Sequence, residues 1–65
     1  MNKYDEIIRK LIIGKLIDPP NGWRYGFPKV YDPKPNETMR QWFVRMGYPE
    51  NRVHFALDYS RVMDE

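Results

Sequence analysis

The chain of 65 residues reads as one small α+β domain spanning residues 1–65. The expected element order is α-β-α-β, with a short antiparallel two-stranded sheet packed on two helices. Three observations lead there. Met39, Trp42, Phe43 and Met46 recur at i, i+3, i+4, i+7, the stripe of a helix. Trp23, Tyr25 and Phe27 alternate with Arg24 and Gly26, the period of a strand. Two Trp, five Tyr and three Phe accompany no cysteine, so the core is built from rings and not from disulfides or thiolate-bound metal.

Taken in order, the first segment predicts a helix over residues 3–13. Tyr4, Ile7, Ile8, Leu11 and Ile12 share one face, Asn2 is the cap, and Asp5 and Glu6 occupy the first turn, where the helix dipole favours carboxylates. Gly14 is expected in the left-handed conformation that ends the helix. Leu16 and Ile17 then fold back as a latch. Pro19 and Pro20 stop any further helix, and Asn21-Gly22 signals a turn.

The strand over Trp23–Phe27 comes next. Pro28 ends it, because proline has no ladder donor, and Lys29-Val30-Tyr31 continues it beyond a kink. "DPKP" is an extended linker. The second helix spans residues 37–46, with Asn36 as cap, Glu37 in its first turn, and Gly47 as the stop before Pro49. In the tail, Val53, Phe55, Leu57 and Tyr59 alternate with polar or small residues. The same residues also make i, i+4 pairs; their β-branched and aromatic character favours a strand pairing with Trp23–Phe27.

A chain of this size buries only about 60% of the surface that its unfolded form exposes, so self-association into a homo-oligomer is expected to help. The longest apolar run, Leu11-Ile12-Ile13, is far short of a membrane span, and no signal peptide is expected at the start. The net charge of +2 argues against contact with long nucleic acid. Its distribution is uneven: residues 21–48 carry five Lys/Arg against two Asp/Glu, and residues 49–65 carry two against four.

Catalytic constellations are missing. His54 is the single histidine and has no nucleophile beside it in sequence, so it reads as a surface or interface residue. No carboxylate spacing suggests a metal, and Gly22-x-x-x-Gly26 lacks the lysine and following helix of a phosphate loop. The chain therefore reads as a non-enzyme with no cofactor. Binding chemistry is better supplied. Arg24, Lys29, Arg40 and Arg45 offer phosphate or carboxylate contacts, and Tyr25, Tyr31 and Tyr48 offer stacking faces with a polar hydroxyl. In the expected strand, Trp23 and Phe27 point inward, while Arg24, Lys29 and Tyr31 point outward to a partner.

The block "GWRYGFPK", the preceding "PP", the aromatic-centred helix and its "MGYP" ending resemble a group of short bacteriophage and prophage proteins. The resemblance covers about residues 16–49; the tail "HFALDYSRVMDE" departs from the group's pattern. It carries no activity and no catalytic residues. It implies a virus-encoded accessory protein of the bacterial host's cytoplasm, of the kind that counters a defence system or inhibits a host factor. The leading expectation is a small anionic nucleotide signal, sequestered at subunit boundaries of an oligomer; the alternative is a host protein, docked through Trp23, Arg24 and Tyr25.

Overall fold

A computed structural model of the protein describes residues 10–64. The fold is α+β, as the sequence predicts. Its elements are β1 (Leu16–Asp18), a 3₁₀ turn (Gly22–Tyr25), β2 (Lys29–Val30), α1 (Met39–Arg45), a second 3₁₀ turn (Glu50–Arg52), α2 (Val53–Tyr59) and β3 (Arg61–Met63). The sheet has three strands rather than two, in the order β2-β1-β3, with both pairings antiparallel.

Most of the helix predicted at residues 3–13 lies outside the described residues. Residues 10–12 are helical, and Gly14 follows at φ 87°, the left-handed stop expected of it. The Gly14 N–H donates to the Tyr31 carbonyl and the Tyr31 N–H to the Lys15 carbonyl, at 3.0 and 2.9 Å. These bonds place β1 against β2. Leu16 and Ile17 are thus not a latch but the central strand, with Ile17 buried in the core and paired with Lys29 on one side and Val62 on the other.

The strand expected over Trp23–Phe27 is a 3₁₀ turn. Asn21 and Gly26 both take left-handed φ values, 56° and 85°, and bracket one tight turn. Gly22 inside it is buried, and a Cβ there would lie 2.9 Å from Phe27 Cβ and 2.9 Å from Pro19 Cδ. Such closeness requires glycine. The peptide bond between Phe27 and Pro28 is cis. Strand geometry begins only after it, at Lys29.

Helix α1 keeps the predicted register, with Trp42 and Phe43 buried and Met39 and Met46 packed against the core. Its cap is Thr38, not Asn36, which instead takes φ 63°. The Thr38 hydroxyl accepts from the Gln41 N–H, and Gln41 Oε1 accepts from the Thr38 N–H, a reciprocal capping box. At the other end Gly47 has φ 103°, its N–H donates to the Val44 carbonyl, and the Tyr48 N–H donates to the Phe43 carbonyl. This double closure is a Schellman ending, and the Tyr48 ring packs on Phe43 with centroids 5.6 Å apart.

The tail is a helix followed by a short strand, not a strand throughout. Val53 and Ala56 are its buried residues, an i, i+3 pair that seats α2 on α1, and β3 follows on the free side of β1. Alternation in the sequence misleads here because Phe55, Leu57 and Tyr59 are all exposed.

Candidate functional site

One interlocked ring cluster fills the interior. Tyr31 and Phe27 meet Trp42 edge-on, at 4.8 and 5.9 Å between centroids, and Phe27 also meets Phe43 and Tyr48. Such T-shaped contacts add about 0.5–1.5 kcal/mol beyond area burial. Phe27 therefore points inward as expected. Tyr31, expected outward, has no exposed surface, and Tyr48 is also buried. The Tyr48 hydroxyl donates to the Pro20 carbonyl at 2.9 Å, and burial pushes its pKa up. Tyr25 is half-buried and stands edge-on to Tyr48 at 5.1 Å.

The basic residues also have internal duties. Lys29 lies over the Phe27 ring and donates to the Met46 carbonyl at 2.9 Å, near the C-terminal end of α1. Arg45 grips Glu37 through two bonds, Nε to Oε2 at 2.7 Å and Nη2 to Oε1 at 2.9 Å, and Nη2 reaches the Asp32 carbonyl at 3.4 Å. The hydrogen bonds from Arg45 hold the Glu37 carboxyl at about 2, well below its usual range, and Glu37 in turn raises Arg45. Lys29, Tyr31 and Arg45 share one open cleft of about 400 Å³ with Asp32 and Trp42. These three of the predicted site residues are brought together, while Tyr25 and Tyr48 belong to another wall of the core. Arg24 and Arg40 are exposed.

A second cleft, of about 300 Å³, was not foreseen. Asp18, Pro19, Pro20, Asn21, Gly22, Trp23, Tyr59 and Arg61 line it. Trp23, expected in the core, is 73% exposed, and Tyr59 is 67% exposed. The 3₁₀ turn explains Trp23: it swings the indole away from Phe27, which a strand would have kept on the same face. Arg24 stacks over the indole at 5.1 Å. Arg61 binds Asp18 at 3.1 Å across the β1–β3 register, and its side chain stays 76% exposed. Phe55 stands one helical turn before Tyr59 and is also exposed, with His54 against it at 4.1 Å. The glycines flanking "WRY" were the signal that could have shown a turn; Tyr59 and Arg61 had none, because their position depends on the misread tail.

Comparison with protein-family models, curated proteins and solved structures yields no match. Among the described residues, no group of acidic or histidine side chains is placed to hold a metal ion, and no helix is long and apolar enough to cross a membrane.

Proposed function

We propose that this chain is a non-catalytic binding protein that docks on a partner protein through the surface around Trp23. The observation that carries this reading is the placement of that indole. A small domain needs its rings inside, yet the Trp at the tip of a tightly bracketed turn is 73% exposed and topped by an arginine. Tryptophan and arginine dominate interface hot spots, and a rigid turn loses little freedom when covered. The sequence likeness to phage accessory proteins makes a protein of the bacterial cytoplasm the natural partner.

Sequestering of a small nucleotide has less support. Of its four expected cations, Lys29 and Arg45 are already engaged by the Met46 carbonyl and by Glu37, while Arg24 and Arg40 are exposed but lie outside the cleft that holds Lys29 and Arg45. A phosphate would have to displace Glu37 from a two-bond grip.

The test is affinity capture from a bacterial lysate with the wild type, Trp23→Ala and Arg24→Ala, after circular dichroism has shown equal folding. A captured protein that is lost with Trp23→Ala, and weakened with Arg24→Ala, is the expected result. Equal capture by all three overturns the reading. Calorimetry with linear and cyclic nucleotides is expected to give no heat; saturable binding lost in Arg45→Ala would restore the nucleotide reading.

A further inference from the structure

We infer that the cleft between Trp23 and Tyr59 takes an extended acidic peptide segment carrying proline, an inference that rests on the docking reading and names the partner's chemistry. Two exposed aromatic rings, Trp23 and Tyr59, line the cleft, and Pro20 and the buried Pro19 lie beside them. Aromatic-lined grooves of this kind suit proline-rich segments. Such segments are already extended and lose little entropy on docking, and proline rings pack flat on aromatic faces.

The charge around the cleft selects among such segments. Arg24 stands on the indole and Arg61 at the rim, while the one carboxylate lining the cleft, Asp18, is already bound to Arg61. Most of the Arg61 side chain still faces water, at 76% exposure. The Arg61–Asp18 pair cancels and Arg24 beside the cleft leaves a local surplus of one positive charge, so acidic segments are favoured over basic ones.

The length of the aromatic surface favours a peptide over a single nucleotide. Outside the cleft, Phe55 adds another exposed ring four residues before Tyr59 on α2, about 6 Å of helix rise away. An extended chain advances about 3.3 Å per residue, so two of its residues span the helix rise between Tyr59 and Phe55.

The experiment is titration of the isotope-labelled 65-residue chain with three capped synthetic peptides, followed by amide and indole resonances. One peptide repeats Glu-Pro-Pro, one Lys-Pro-Pro and one Glu-Ala-Ala; adenosine and uridine monophosphates are run beside them. The expected result is saturable shifts at Trp23, Tyr59 and Arg61 with the Glu-Pro-Pro peptide, about tenfold weaker binding in Trp23→Ala and Arg61→Ala, and no comparable shifts with the other probes. Equal response to the Lys-Pro-Pro or Glu-Ala-Ala peptide overturns the inference, as does a response to a mononucleotide alone. Silence with every peptide, while Trp23→Ala still abolishes capture of a bacterial protein, overturns this inference and leaves the docking reading standing.

Discussion

Trp42 and Trp23 are the same side chain put to opposite uses. Trp42 sits at 1% exposure with Tyr31, Phe27 and Phe43 packed edge-on around it; Trp23 stands at 73% exposure with one arginine above it. The difference lies in backbone, not in residue type. Trp42 belongs to a helix whose stripe repeats at the period of the core. Trp23 belongs to a single 3₁₀ turn between two left-handed residues, which breaks the alternation with Phe27. Where a ring goes in this chain is decided by the turn that carries it.

The strongest way to break the comparison is to truncate both indoles. Trp42→Ala is expected to cost about 3–5 kcal/mol, enough to leave a domain of this size largely unfolded by circular dichroism. Trp23→Ala is expected to stay within about 0.5 kcal/mol of wild type in urea unfolding, since the side chain is exposed. Comparable losses in the two variants would mean that the turn is part of the core.

The turn itself can be tested next. In Gly22→Ala the new methyl meets Phe27 Cβ and Pro19 Cδ at 2.9 Å. A loss of about 1–3 kcal/mol is expected, with altered resonances at both Trp23 and Phe27, because this glycine sets one ring out and the other in. On the Trp42 side, Thr38→Ala removes one half of the capping box and is expected to cost about 1 kcal/mol in urea unfolding without disturbing the Trp23 turn.

The smallest effect belongs to Glu37. Its carboxyl titrates near 2 in the folded chain instead of its ordinary 4.5. The folded value is depressed, so the Arg45 grip contributes stability above pH 4.5 that is lost as the pH falls toward 2. Glu37→Gln is expected to be slightly less stable at neutral pH and to lose part of the stability decline between those values, as read from thermal unfolding against pH. An unchanged acid profile would remove Glu37 from the account.

The sequence showed the α+β class, the α1 stripe and the stops at Gly14 and Gly47, because each rests on a local rule that packing did not override. The Thr38-x-x-Gln41 spacing carries a capping-box signature, but Asn36 offers a competing cap residue two positions earlier. The tail was not legible. Val53, Phe55, Leu57 and Tyr59 satisfy a strand's alternation, yet only Val53 of these is buried, and its buried companion is Ala56, three residues on at a helix's spacing. Leu16–Asp18 carries no strand signal, because three residues are too few to show a periodicity. Of the expected binding residues, Tyr31 and Tyr48 were needed by the core, and Lys29 and Arg45 by the ends of α1. Trp23 reads as a core residue in a strand and as a contact residue on a turn, so the misassigned element hid the second cleft.

The separation of the two indoles has a spectroscopic consequence. Trp42 is shielded from water and Trp23 is immersed in it, so their fluorescence differs in colour and in access to a dissolved quencher such as acrylamide. Unfolding shifts the emission of the shielded indole to the red. Covering the turn shifts that of the immersed one to the blue and protects it from quenching. The unlabelled chain thus carries two native reporters, one for the integrity of its interior and one for the occupation of its surface.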